Sequence, residues 1–193
     1  MKKADIFRIF NIDDLRVLPE RIMQVISGDI KARDGIYSEC LNVNRNDLSY
    51  DWFQGIYEEE LSERGQKKQD FTPNSVGHLA SLLTGNKNGI VHEPTAGNGS
   101  MIIADWYNRC QKSIVWDLFP SENMIDCWEL SDRSIPLLLF NLSIRGIMGY
   151  VYHGDVLEKI VKQKYILLNR NDDVLAFSEI IPVELNVTIC KNR

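Results

Sequence analysis

This chain lacks the features that would make several function classes easy to read. Its four cysteines, Cys40, Cys110, Cys127 and Cys190, include no close pair. Neither a zinc site nor a disulfide framework has such spacing, so we expect reduced, mostly buried thiols in a cytosolic protein. The histidines, His78, His92 and His153, are too dispersed for a metal site and read as packing or surface residues. No apolar run approaches the roughly 20 residues of a membrane span. Behind Met1-Lys2-Lys3-Ala4-Asp5 no apolar segment is long enough for a secretory signal. Positive charge is not in excess either: 22 Lys and Arg stand against 27 Asp and Glu, a net charge of −5. A protein that grips nucleic acid unaided usually presents a basic face. Here only Arg64, Lys67 and Lys68 cluster, and such a run is most simply a solvated loop. Repeats and low-complexity stretches are absent.

What remains is an ordinary globular composition, 44% hydrophobic and 25% charged over 193 residues. That length suits one α/β domain with a real core, with a smaller region beside it. We divide the chain into a helical N-terminal region, 1–64, and an α/β domain, 65–193. Leu15, Leu18, Ile22, Val25 and Ile26 recur at helical spacing, with Asp13 or Asp14 as the cap. Ser27 to Asn46 is polar and reads as loop and short turns. Leu48, Trp52, Ile56 and Leu61 outline a second amphipathic helix ending near Arg64-Gly65, with Trp52, Phe53 and Tyr57 packing into the core. Thr72-Pro73 reads as an N-cap followed by proline at the first helical position. Val76, Leu79, Ala80, Leu82 and Leu83 then form one apolar face, closed by Gly85.

From Gly89 the pattern becomes strand, loop, helix. Gly89-Ile90-Val91 is a short buried strand, and Met101, Ile102, Ile103 and Trp106 begin a helical stripe. Ile114-Val115-Trp116 reads as an edge strand or a loop. Met124–Trp128 is a strand, and a helical segment follows through Ile144, with Pro136 placing its start near Ile135 or kinking it. Tyr150–His153 and Tyr165–Leu168 are further strands. Val174–Ile180 pairs with the latter as a hairpin across Asn171-Asp172-Asp173, and the tail from Pro182 is strand-like. Alternating strands and helices predict a parallel sheet with helices on both faces, whose ligands sit beyond the carboxyl ends of the strands.

The densest signal is Glu93-Pro94-Thr95-Ala96-Gly97-Asn98-Gly99 between strand and helix. Glycine lets backbone N–H groups approach a ligand closely, and the helix N-terminus behind favours a carboxylate or other anion. The third glycine of the dinucleotide fingerprint and the Gly-Lys-Ser/Thr of a phosphate loop are both missing. Three acids, Glu93, Glu129 and Asp155, follow three predicted strands, which would bring them to one sheet edge. Glu129 suits a ribose hydroxyl pair. Asp155 suits an exocyclic amine, with Val156 packing on the ring, and Glu93 suits an ammonium, directly or through water. For each acid the alternative is a helix cap or a solvated loop.

Together these residues resemble a known family. Acid-Pro-x-Ala-Gly-x-Gly is similar to the first motif of S-adenosylmethionine-dependent DNA amino-methyltransferases. Trp52 to Glu58, Gly65-Gln66 and Phe71-Thr72-Pro73 resemble the segment before that motif in methylation subunits of type I restriction–modification systems. There the Phe/Tyr-Thr-Pro element is the tenth motif, whose threonine, matched by Thr72, helps hold the methionine carboxylate. Trp128-Glu129-Leu130 is similar to the second motif, with the ribose acid at Glu129. Asn141-Leu142 and His153 to Leu157 resemble the stretch ending in the third. The order ten, one, two, three is that of the gamma class, and the likeness covers roughly residues 50–158.

The resemblance implies a Rossmann-like methyltransferase sheet and bound S-adenosylmethionine. It implies a DNA-adenine activity of restriction–modification or phage type, with DNA met through a separate specificity or partner subunit. The cofactor would be held by Phe71, Thr72, Pro73, Glu93, Pro94, Thr95, Ala96, Gly97, Gly99, Glu129, Leu130, Asp155 and Val156. The departure is as informative. The fourth motif, Asn/Asp-Pro-Pro-aromatic, which accepts hydrogen bonds from the target amine and stacks on a flipped base, has no counterpart. Where it would fall stands Asn169-Arg170-Asn171-Asp172, and Asn169 is the only stand-in for its polar residue. About twenty residues follow, so the chain corresponds to the cofactor-binding half of such an enzyme. Three readings follow: an active DNA methyltransferase, alone or with a partner; a catalytically silent regulatory or assembly subunit; and, ranked last, a methyltransferase for small molecules or proteins. A homo-oligomer is compatible with each.

Overall fold

A computed structural model describes residues 1–56, 72–84 and 89–185, except the side chain of Val115. Phe71, Tyr57, Leu61, the Arg64–Lys68 cluster, Gly85 and Cys190 lie outside the described residues. The chain opens with three helices, α1 (Lys3–Phe10), α2 (Leu18–Ile26) and α3 (Ile30–Val43). Asp14 caps the 3-10 turn Leu15–Val17 that leads into α2. Helix α3 replaces the loop expected between Ser27 and Asn46. Asp29 caps it by accepting from the Ala32 N–H, and its buried stripe is Arg33, Tyr37 and Cys40. A buried arginine inside the stripe breaks the apolar pattern. It is satisfied by the Ser178 carbonyl and by Asp34, with its guanidinium over the Tyr37 ring.

After a single turn at Gln54–Ile56 come α4 (Asn74–Thr84), β1 (Val91–Glu93), α5 (Ser100–Lys112), β2 (Ile125–Glu129), α6 (Ser134–Ser143) and β3 (Gly149–Asp155). The strands β4 (Ile160–Leu168) and β5 (Glu179–Val183) complete the sheet. Helix α4 starts one residue later than expected, because the Pro73 carbonyl accepts its first bonds. Ile114–Trp116 gives no strand; a 3-10 turn spans Val115–Asp117.

The strand order is β1-β2-β3-β4-β5. The first three strands are parallel, and β4 and β5 are antiparallel to their neighbours. The expected parallel sheet, with its one hairpin, is therefore corrected to a mixed one in which β4 is also antiparallel to β3. Strand β3 passes through a tight turn at Asp155–Lys159 straight into β4, with no crossover helix. The polar run Lys162-Gln163-Lys164 concealed the first half of β4. Leu168 pairs with Glu179, so the expected hairpin forms with a longer connection.

Among the described residues the helices that connect the parallel strands cover one face. Ile125, Cys127, Val151 and Leu167 point into the core with Ile102 of α5 and the apolar residues of α6. The alternate residues Asp126, Trp128, Tyr150, Tyr152 and Lys164 remain part-exposed. Two successive crossovers that step the same way along a sheet place their helices on one face. On the other face Trp128 stacks on Tyr152 at 4.7 Å, and Lys164 Nζ lies 4.2 Å from the centre of the Tyr150 ring.

Helix α6 is buried along its whole length, Pro136 falling in its first turn. A helix apolar on every side needs neighbours on every side. The sheet lies beneath it, and Phe10, Tyr37 and Phe53 meet Phe140 from above at 5.7, 4.7 and 5.4 Å between ring centres. Helices α1–α3 and the sheet unit thus share one continuous core. Among the described residues no helix is long and apolar enough to cross a membrane.

Candidate functional site

Parallel pairing brings the ends of β1, β2 and β3 to one edge, and there a cavity of about 760 Å³ opens. Its walls come from the separate segments picked out in the sequence. Thr72, ahead of α4, sits at the rim. The bend after β1 contributes Pro94, Thr95, Ala96 and Gly97; β2 contributes Glu129 and the following Leu130; the β3 turn contributes Asp155 and Val156. Pro73, Glu93 and Gly99 are not in the wall.

The bend is held by its own backbone. Gly97 and Gly99 have φ of 56° and 96°, a region that disfavours a Cβ. A Cβ on Gly99 would meet Leu138 Cδ1 at 3.0 Å, so this glycine serves the fit of the bend onto α6 rather than a ligand. The Ala96 N–H donates to the Trp128 carbonyl, and the Gly97 N–H donates to Glu129 Oε2 at 2.7 Å. Glu129 Oε1 accepts from the Ser131 N–H at 2.7 Å. These two bonds fix the carboxylate at the cavity wall. Glu93 accepts from the Thr95 N–H and so braces the bend from below. Asp155 Oδ1 accepts from the Leu157 and Glu158 N–H groups, while Oδ2 has no partner among the described residues.

Among the lining residues absent from the expected set are Asn98 and Ser100. Asn98 is 1% exposed, yet neither polar atom of its side chain has a hydrogen-bond partner among the described residues, and the same holds for Ser100 Oγ. Buried polar groups are almost always paired, and leaving one unpaired costs about 1–3 kcal/mol. The only sequence signal was the position of Asn98 between two glycines. Below the bend runs a second polar layer. Asn141 Nδ2 donates both to Asp51 Oδ1, at 2.8 Å, and to the Asn98 carbonyl, at 3.0 Å. Arg145 donates to the Asn141, Leu48 and Tyr50 carbonyls and lies over the Trp52 ring. Burial pushes the Asp51 carboxyl up, against hydrogen bonds from Phe53 and Asn141, the charge of Arg145 and the nearby Asn98 side chain, which is too distant for an aligned bond; burial also lowers Arg145 to about 10.

Asn169 lies elsewhere. Because β4 runs antiparallel, its carboxyl end sits beside Gly149, at the far end of β3 from Asp155. That strand is about 20 Å long at roughly 3.3 Å per residue. Asn169 is 2% exposed, and its Nδ2 donates to the carbonyls of Gly146, Asp173 and Ala176. It ties two turns together and does not reach the cavity, which corrects its expected role as amine acceptor.

The cavity lining contains two carboxylates and no Lys, Arg or His among the described residues. Such a lining repels phosphate groups and accepts hydroxyls, amines and a positive centre. Leu130 and Leu157 stand exposed at the rim as apolar surfaces for a flat ring. No cluster of metal-ligating side chains occurs among the described residues. Comparison with protein-family models, curated proteins and solved structures finds no match to any of them.

Proposed function

We propose that this chain binds S-adenosylmethionine in the cavity, as a DNA adenine methyltransferase-like protein of restriction–modification or phage type. The observation that carries the reading is the convergence of Thr72, Gly97, Glu129 and Asp155 on one cavity whose described lining bears negative charge alone. Glu129 accepts from the ribose hydroxyls. Asp155 Oδ2 accepts from the adenine amine, with Val156 and Leu130 against the ring. Thr72 and the backbone of the bend face the amino-acid end. The bound cofactor supplies an activated methyl group on sulfonium, and the chain's own work is to hold and orient it.

Asn169, the expected acceptor for a target amine, is sequestered at the other end of the sheet. That observation favours the second reading, a cofactor-binding regulatory or assembly subunit; catalytic groups and the DNA grip then come from a partner chain. Calorimetry with S-adenosylmethionine should show binding, and the protein alone should transfer no labelled methyl group to DNA. Glu129→Ala should weaken binding by about 1–3 kcal/mol, the cost of buried hydroxyls left unpaired. Absence of binding, or tighter binding of a nucleoside triphosphate, would overturn the proposal.

A further inference from the structure

The bridging amide of Asn141 ties the N-terminal region to the glycine bend. Its two hydrogens point to two different acceptors, the Asp51 carboxylate and the Asn98 carbonyl. Its oxygen lies 3.3 Å from Arg145 Nη1. An amide in this setting has two orientations, and the network permits one. Turned over, its oxygen would face the Asp51 carboxylate and the Asn98 carbonyl together, three acceptors with no proton among them. Asp51 is itself fixed, because its Oδ1 also accepts from the Phe53 N–H, next to the ring that packs on Phe140.

We infer that Asp51 is a positioning residue for the ligand cavity: acting through Asn141, it pins the Asn98 carbonyl and so sets the shape of the Gly97–Gly99 bend. Pinning that carbonyl fixes one peptide of the bend, whose Asn98 side chain is buried and acts on the Asp51 carboxyl in turn. The N-terminal helices are then a working part of the binding site, although Asp51 is no part of the cavity wall. The inference rests on the reading of the bend as the ligand loop, and its test separates the two.

The test compares the whole chain with Asp51→Asn. Asparagine keeps the size, and its Oδ1 can still accept from both Phe53 and Asn141, but it removes the charge that fixes which way the Asn141 amide turns. In the ligand-free protein the Gly97 and Gly99 amide resonances should move, while those of β4 and β5 stay in place. A general loss of stability would not select those two glycines. S-adenosylmethionine affinity should fall by about tenfold, the equivalent of one charge-assisted hydrogen bond. If Asp51→Asn does not fold, Asn141→Ser deletes the bridge and leaves the carboxylate with Arg145, and the same two resonances should move. Unmoved glycine resonances in the folded variant overturn the inference, as does unchanged affinity in a variant of a protein that binds. If the unaltered protein binds no S-adenosylmethionine, the proposed function fails, while moved glycine amides still support the coupling.

Discussion

The two ends of the sheet use the same kind of residue in opposite ways. At the amino end of β3, Asn169 is 2% exposed and its amide nitrogen donates to three carbonyls. At the carboxyl end, Asn98 is 1% exposed and its side-chain polar atoms have no partner among the described residues. Burial alone therefore does not separate a fully paired asparagine from an unpaired one. At one end of the sheet the buried amide is spent on three carbonyls, and at the other it lies near the Asp51 carboxyl without an aligned hydrogen bond.

The contrast is sharpest in Asn169→Ala. Three carbonyls lose their shared donor, and unfolding in urea should show a loss of about 2–3 kcal/mol, with S-adenosylmethionine affinity unchanged. A loss of affinity there would join the two ends and break the comparison. Asn98→Ala should do the reverse. Removing unpartnered polar atoms should leave stability within about 0.5 kcal/mol of the starting protein, or raise it, while binding weakens about tenfold. If it destabilises as Asn169→Ala does, Asn98 is a structural residue too.

The smallest effect concerns pH. Burial lowers the His153 pKa from 6.5; Lys162 adds to this and Asp132 opposes it. His153 Nε2 lies 2.8 Å from Asp132 Oδ1 without forming an aligned hydrogen bond. Near pH 6.5 the unfolded chain takes up a proton that the folded chain resists. The contribution of His153 is thus complete above that pH and fades as pH falls through the folded value. His153→Gln should flatten the decline in stability from about pH 7 to 5, read by denaturant titration at each pH. The raised Asp51 carboxyl acts with the opposite sign and is common to both proteins.

The glycine bend and the acids at the strand ends were legible because their chemistry is local: a Gly-x-Gly turn and a carboxylate just past an apolar run. The direction of β4 was not, since an alternating strand reads alike in a parallel or an antiparallel pair, and that direction decides where Asn169 ends up. Helix α3 was hidden by Arg33, a charge inside a buried stripe that only the distant Ser178 carbonyl explains. Asp51 shows the same limit more strongly. Its importance comes from Asn141, ninety residues away in sequence, and no local pattern announces such a pair. For Glu93, the bracing of Thr95 is a turn interaction that the sequence admitted as readily as a ligand contact.

The fully enclosed helix α6 has a consequence for dissecting this protein. Its upper surface is sealed by the first 53 residues and its lower surface by the sheet, so Phe140 would lie bare on any fragment that began after the opening helices. A cut between the two parts would not liberate two modules. It would yield a sticky β-sheet unit with an open flank and a helical remnant with nothing to close on.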